Sequence, residues 1–274
     1  MNTNSNTYTI IYSIVLVVVV AAVLAFTAIT LQPQQETNVK VETISKILTT
    51  VGLYNTESEM SNEDIMRAYS ENISKAVLVN AQGEVCGQMN TDFKNIEIKG
   101  QSELKSQNDL MKKVASGDAN AQSGIALPVY IFNVEGREIS VVPCYGAGLW
   151  GPIWGYIAFD SDMNTIDGAV FDHKGETPGL GAEIATSWFC DNFKGKKINN
   201  SQNEFVSIKV VKGGAAEDDI NGVDAISGGT ITSQALEKAI GMWLQGYLPY
   251  FQKTLALSQP QGEEINTIDN NVEE

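Results

Sequence analysis

The sequence predicts an α+β fold in which one N-terminal transmembrane helix precedes a single mixed α/β domain. Three observations predict it. Ile10 to Leu31 carries no charged side chain and is long enough to cross a hydrocarbon core of roughly 30 Å as a helix. Behind it, short runs of β-branched and aromatic residues are separated by turn signals, the pattern of antiparallel hairpins. Near the C-terminus Leu236, Ala239, Ile240, Trp243, Leu244 and Tyr247 fall at the i, i+3, i+4, i+7 spacing of a helix with one buried face.

Taken in order, residues 1–9 form a short N-terminal segment and residues 10–31 the span. A cleaved signal peptide is the alternative reading of that span. The first nine residues hold no Lys or Arg and the apolar run exceeds an ordinary signal core, so an uncleaved anchor in membrane lipid is expected. Tyr8 and Tyr12 suit an interfacial aromatic belt. Residues 32–56 read as a polar linker leading to a membrane-proximal helix around Ile44 to Leu53. The folded domain is expected over 57–257. Ser61-Asn62-Glu63-Asp64 is a capping box ahead of Ile65, Ala68, Tyr69 and Ile73.

Ala76–Val79 and Glu84–Gly87 flank Asn80-Ala81-Gln82-Gly83 as a hairpin, and Leu104 to Ala115 reads as a helix stopped by Gly117. Val129–Val134 and Arg137–Val142 flank Glu135-Gly136, and Ile153–Phe159 and Thr165–Phe171 flank residues 160–164 in the same way. No period of 20 to 50 residues recurs. Residues 258–274 carry acids, no base and few large apolar groups, which predicts a solvated, disordered tail.

The chain has 274 residues, 43% of them apolar, enough for a real core. Its 18 Lys+Arg against 33 Asp+Glu give a net charge of -15, which argues against nucleic acid and against an anionic membrane surface, since both need a basic patch. Cys86, Cys144 and Cys190 fit none of the zinc or iron–sulfur spacings. They read as buried, unpaired core cysteines, with one disulfide possible if the domain is extracytoplasmic.

Three glycine-rich segments carry the candidate chemistry. Asp224-Ala225-Ile226-Ser227-Gly228-Gly229-Thr230 runs into the last helix, with Thr232 or Ser233 expected as its cap. Glycines and hydroxyls ahead of a helix N-terminus outline an anion site, because unpaired N–H groups and the dipole favour a phosphate or carboxylate there. An ordinary capped turn is the plainer reading. Gly146 to Tyr156 contains four glycines that let backbone approach a flat ligand, and Trp150 and Trp154 offer stacking faces. A buried aromatic turn between strands fits the same residues. His173-Lys174-Gly175-Glu176-Thr177-Pro178-Gly179-Leu180-Gly181 can present N–H groups and the Thr177 hydroxyl in fixed directions. His173 with Glu176 lacks a third metal ligand nearby, so a solvated histidine is expected and no metal.

In this order the segments resemble a known family. Asp224-x-x-Ser227-Gly228-Gly229-Thr230 is similar to the flavinylation motif Asp-x-x-(Ser/Thr)-Gly-Ala-Thr, with Gly229 where Ala is usual. Together with Glu176-Thr177-Pro178-Gly179-Leu180-Gly181, Gly148-Leu149-Trp150-Gly151 and one N-terminal span, it resembles the NqrC family of Na+-translocating NADH:quinone oxidoreductase subunits. The related electron-transfer flavoprotein of the Rnf complex shares two of these motifs and is the nearest alternative. A non-redox anchored extracytoplasmic binding module is the alternative of a different class.

The resemblance implies a membrane-anchored flavoprotein subunit that relays electrons through FMN, held on Thr230 by a phosphoester. Asp224, Ser227, Gly228 and Gly229 would be read by a flavin transferase and shape the phosphate pocket. Thr177, Gly179, Leu180 and Gly181 would contact the flavin, with Trp150 beside it and Lys212 a nearby cation. Partners would be an iron–sulfur subunit and a second FMN-bearing membrane subunit of a complex that oxidises NADH, reduces ubiquinone and exports Na+. The family implies an inner-membrane protein with a periplasmic domain, whereas Lys40 and Lys46 weakly favour the cytoplasm.

Overall fold

A computed structural model describes residues 6–258; residues 1–5 and the acidic tail beyond Ser258 lie outside them. The first helix, α1 (Asn6–Thr50), runs unbroken for 45 residues, or roughly 65–70 Å at 1.5 Å per residue. The stretch read from sequence as a polar linker is therefore helical as far as Thr50. Pro33 lies inside it and removes one backbone donor, a cost of about 3 kcal/mol. Local pairs offset that cost: Gln32 donates to Glu36 at 2.8 Å and Thr37 Oγ1 to the Pro33 carbonyl at 2.9 Å. No glycine interrupts 32–50, and Val41, Ile44, Ile47 and Leu48 are buried against the domain.

The next helix, α2 (Asn62–Asn72), starts as its sequence indicates: Ser61 Oγ accepts from the Asp64 N–H while Asp64 accepts from the Ser61 N–H. The chain then lays down β1 (Ile73–Val79), β2 (Val85–Met89), α3 (Gln101–Ala115), β3 (Leu127–Val134), β4 (Arg137–Ala147), β5 (Pro152–Phe159) and β6 (Ile166–His173). These strands form one antiparallel sheet in the order β2-β1-β3-β4-β5-β6. Turn chemistry sets the register. Glu135 and Gly136 both have positive φ, 52° and 80°, as a two-residue hairpin turn matching strand twist requires.

After β6 come a 3-10 turn (Gly181–Ala185), the single-turn α4 (Ser187–Cys190), a parallel pair β7 (Lys209–Val211) and β8 (Gly222–Asp224), and α5 (Thr230–Ser258). Helices α1 and α2 cover one face of the sheet and α5 the other. Two glycines permit this closeness. A Cβ on Gly168 of β6 would run into the Thr50 carbonyl of α1, and one on Gly146 of β4 would lie 2.7 Å from Ala239 Cβ of α5. The α5 face buries Leu236, Ile240, Trp243, Leu244 and Tyr247, each at most 1% exposed, the residues its spacing selects.

Lys46 fixes the direction of α1 on the sheet. Its ammonium pairs with Glu42 at 2.6 Å and with Asp172 near the end of β6, and it lies 5.6 Å from the Trp154 ring centroid at the start of β5. Thr50, farther along, sits at Gly168. The membrane helix thus enters at the end of the sheet where β4 and β6 finish and β5 begins.

All three cysteines are free: Cys144 and Cys190 are buried, while Cys86 is exposed on edge strand β2, against the expectation of a core position. The start of this edge strand is open on both faces, since Val85 and Cys86, whose side chains point to opposite sides, are both exposed. Burial pushes the Cys144 and Cys190 thiols up to about 12. Because the neutral thiol is the form favoured, both stay protonated at pH 8 and unreactive. Iodoacetamide at pH 8 should modify Cys86 alone in the folded protein and all three after denaturation; rapid native labelling of Cys144 would contradict the packing. Gly168→Ala should lower stability by about 2 kcal/mol in urea unfolding of the full-length chain, by pushing α1 off β6; an unchanged midpoint would contradict the close approach.

Candidate functional site

Three loops meet at the end of the sheet nearest α1. The first, Gly148–Gly151, closes the β4–β5 hairpin, with the Gly148 N–H donating to the Gly151 carbonyl at 2.8 Å. The second follows β6 from Lys174 to Leu180, and the third joins β8 to α5 across Ala225–Gly229.

One carboxylate ties them together. Glu176 is 4% exposed; its Oε1 accepts from the Trp150 N–H at 2.8 Å and its Oε2 from Thr232 Oγ1 at 2.5 Å. Its own N–H donates to His173 Nδ1 at 3.2 Å, so that nitrogen of the chain's single histidine is an acceptor rather than free in solvent. Glycines make room for the carboxylate. A Cβ at Gly148 would stand 2.5 Å from Glu176 Oε1, and one at Gly181 2.6 Å from Oε2.

Leu180 closes the remaining gap. A Cβ on Gly228 would lie 2.6 Å from Leu180 Cδ2, and one on Gly229 would lie 2.9 Å from Ile226 Cγ2 and 3.1 Å from the Leu180 carbonyl. Glycine at 229, where the flavinylation pattern usually has alanine, is therefore fitted to Leu180 in this chain. Gly228 and Gly179 also have positive φ, 75° and 74°, a region that favours glycine.

Helix α5 begins at Thr230 rather than behind a Thr232 or Ser233 cap. The Gly229 carbonyl accepts the first helical bond, from the Ser233 N–H at 2.9 Å. Thr232 and Ser233 fall within the first turn, where their hydroxyls turn back to Glu176 and, at 3.1 Å, to the Ile226 N–H. Thr230 sits half-buried at the helix tip, its hydroxyl engaged by none of the described residues. The orphan N–H groups of that first turn and the positive dipole end make the tip a seat for an anion.

The other expected residues fall around this tip. Ser227 and Gly228 are exposed in the turn. Asp224 ends β8, and its Oδ1 accepts from the Ala215 N–H at 2.7 Å, bracing the turn from behind. Thr177 is exposed, and its carbonyl receives the Leu180 and Ala182 N–H groups, each at 3.1 Å. Trp150 is 68% exposed and Leu180 42%. Both lie on the accessible side of the tip with Leu149 and Ile231, an apolar rim suited to a flat ring. Lys212 is the outlier. It is exposed in the turn after β7 and joins the site only through the Val211–Asp224 pairing.

Sequence reasoning missed Glu176 as the tie and Thr232 as its partner. The signal was one acid set between glycines in a loop otherwise built for backbone contacts. Among the described residues no cluster of three or more His, Cys, Asp or Glu side chains is arranged for a metal.

The sequence matches the FMN-binding domain family over residues 148–245, the stretch that holds all three loops. It is also 30% identical over 250 residues, covering 89% of this chain and 93% of the relative, to the NqrC subunit of the Na(+)-translocating NADH-quinone reductase of Neisseria meningitidis serogroup B. The chain belongs to the NqrC family of Na(+)-translocating NADH-quinone reductase subunits. Solved structures agree with the NqrC fold. The crystal structure of the corresponding reductase subunit from Parabacteroides distasonis superposes with a TM-score of 0.62 at 37% identity, covering 81% of this chain and 96% of that one. The crystal structure of Shewanella oneidensis NqrC gives 0.63 at 26% identity, covering 80% and 99%. The mixed α+β domain behind one apolar helix is thus the NqrC architecture.

Glu176→Ala strands the Trp150 N–H and the Thr232 hydroxyl together, and should cost about 3 kcal/mol in urea unfolding. Glu176→Gln keeps one acceptor and should cost about 1 kcal/mol. Equal stability of the two variants and the parent would contradict the tie.

Proposed function

We propose that this chain is the membrane-anchored flavoprotein subunit of a Na+-translocating NADH:quinone reductase, with FMN esterified through its phosphate to Thr230 Oγ1. The observation that carries this reading is the unengaged, half-buried Thr230 hydroxyl at the tip of α5, directly after the Ser227-Gly228-Gly229 turn.

The residues present fit the group. The amides of the first turn of α5 hold the phosphate, and the dipole end lowers the cost of its charge. Leu180, itself pinned on Gly228 and Gly229, offers an apolar face, and the exposed Trp150 a second one. Asp224, braced by Ala215, and Ser227 keep the turn presented outward for the flavin transferase. Lys212, exposed near that end of β7, adds a cation that favours a negatively charged ring. FMN bound there supplies reversible electron transfer, and a permanent ester prevents its loss while the ring faces donor and acceptor.

The place of the site in the molecule supports a relay role. The loops lie at the sheet end where α1 arrives, so the rim faces the membrane. From Leu31 to Lys46 the helix spans roughly 20 Å, which sets the height of that rim above the hydrocarbon. An iron–sulfur subunit and a second FMN-bearing membrane subunit are the partners such an orientation suits. The domain is assigned to the periplasmic side, since large domains translocate largely regardless of two flanking lysines.

In cells that possess the flavin transferase, in-gel flavin fluorescence under denaturing conditions should be present in the parent chain and absent from Thr230→Ala, with the fold retained. Asp224→Ala should lower loading without abolishing it. Undiminished fluorescence of the Thr230 variant would overturn the assignment.

A further inference from the structure

A cleft of about 340 Å³ opens between α3, the end of β4 with Gly148 beyond it, and the first four turns of α5, from Ile231 to Met242. It borders the flavin site and shares Gly148 and Ile231 with it, but Thr230, Leu180 and Gly228 are not among its walls, and the inference goes beyond the flavin reading without resting on it. Its floor is apolar, built from Ala239 and Met242 of α5 with Gly146 of β4, and Ile231 stands at its edge. Its polar side chains are Asn108, Lys112, Gln234 and Lys238.

Asn108 is 2% exposed and lines the cleft. Its Oδ1 accepts from Trp243 Nε1 at 3.3 Å, the indole that also donates to the Tyr145 carbonyl at 2.9 Å. An indole N–H is only a donor, so the amide must turn its oxygen there and its NH2 elsewhere. That NH2 donates to none of the described residues and is not sealed in the core, which leaves the cleft as where it opens. With its oxygen claimed by the indole, the amide is fixed in orientation and its NH2 is free to donate to whatever enters the cleft.

Lys112 and Lys238 stand on opposite walls, and neither pairs with a described carboxylate. No acidic side chain lines the cleft, although the chain carries 33 Asp+Glu against 18 Lys+Arg. Two cations and a fixed amide donor above an apolar floor select an acceptor with negative charge and a hydrophobic body. The volume exceeds what a bare inorganic ion fills and falls in the range of small-molecule pockets.

We infer that this cleft is a second ligand site, taking a small organic anion whose carboxylate meets Asn108 Nδ2 between Lys112 and Lys238 while its apolar part rests on Ala239 and Met242. The full-length chain in detergent, titrated calorimetrically, tests this with benzoate as the organic anion and inorganic phosphate as the bare one. Benzoate should bind saturably, and phosphate at least tenfold more weakly. Asn108→Asp keeps an oxygen for Trp243 but replaces the donor by a negative acceptor, and should weaken benzoate at least tenfold. The paired surface change Lys112→Ala with Lys238→Ala should do the same, and serves if the Asn108 variant unfolds. Flavin-loaded protein and Thr230→Ala should bind benzoate equally. No saturable binding, unchanged affinity in the variants, or phosphate as tight as benzoate would overturn the inference. Binding only to the flavin-free variant would overturn it as well, since the cleft would then be occupied by the tethered ring.

Discussion

A glutamate carboxylate that is almost wholly withdrawn from water must have its acceptor capacity met, and at Glu176 that demand organises the functional end of the molecule. One oxygen takes a backbone N–H from the β4–β5 turn and the other a hydroxyl from the first turn of α5. Segments far apart in sequence are thereby held within one hydrogen-bond shell. Buried charge is tolerated only when paired in this way, so the glycines at 148 and 181 are part of the same constraint: each leaves the space the carboxylate needs. Leu180 then follows, since the loop that positions Glu176 also presses Leu180 onto Gly228 and Gly229. The tip of α5 is shaped from behind by this cluster, and the Thr230 hydroxyl is left outward.

The second structural decision is where that tip points. Helix α1 passes from the span into the domain without a joint, and Lys46 binds it to Asp172 and Trp154 beside the same loops. Gly168 lets the end of α1 press directly on the sheet. A partly buried ion pair of this kind contributes orientation more than net stability. The anchor is thus a strut rather than a tether. For the relay role proposed above, a fixed height and bearing matters because electron transfer falls off steeply with distance.

Much of this was legible in the sequence wherever the cause is local. The Ser61–Asp64 box, the Glu135-Gly136 turn and the α5 stripe each declare themselves within a few residues, and the structure repeats them nearly to the residue. The motif ending at Thr230 is contiguous and so can be read directly, and the structure puts that residue at the start of α5. The continuation of α1 past Pro33 was not legible, since proline and a polar stretch suggest a break, and what opposes it is the tertiary burial of Val41, Ile44, Ile47 and Leu48. Glu176 was not legible for the same reason. Its partners are 26 and 56 residues away, and no periodicity links them. The sequence suggests a later start for α5 because Thr232 and Ser233 resemble caps, whereas their hydroxyls serve contacts behind the helix. Cys86 reads as a core residue from its type, but it lies at the start of an edge strand that is uncovered on both faces.

The central claim is that one hydroxyl, at the first residue of α5, carries the cofactor. Its most direct test is tandem mass spectrometry of the peptide spanning Asp224 to Lys238, taken from the full-length chain made in cells with the flavin transferase. The account predicts that this peptide carries the added mass of one esterified FMN, localised by fragmentation to Thr230. An unmodified peptide, or the same mass localised to Ser227, Thr232 or Ser233, would contradict it.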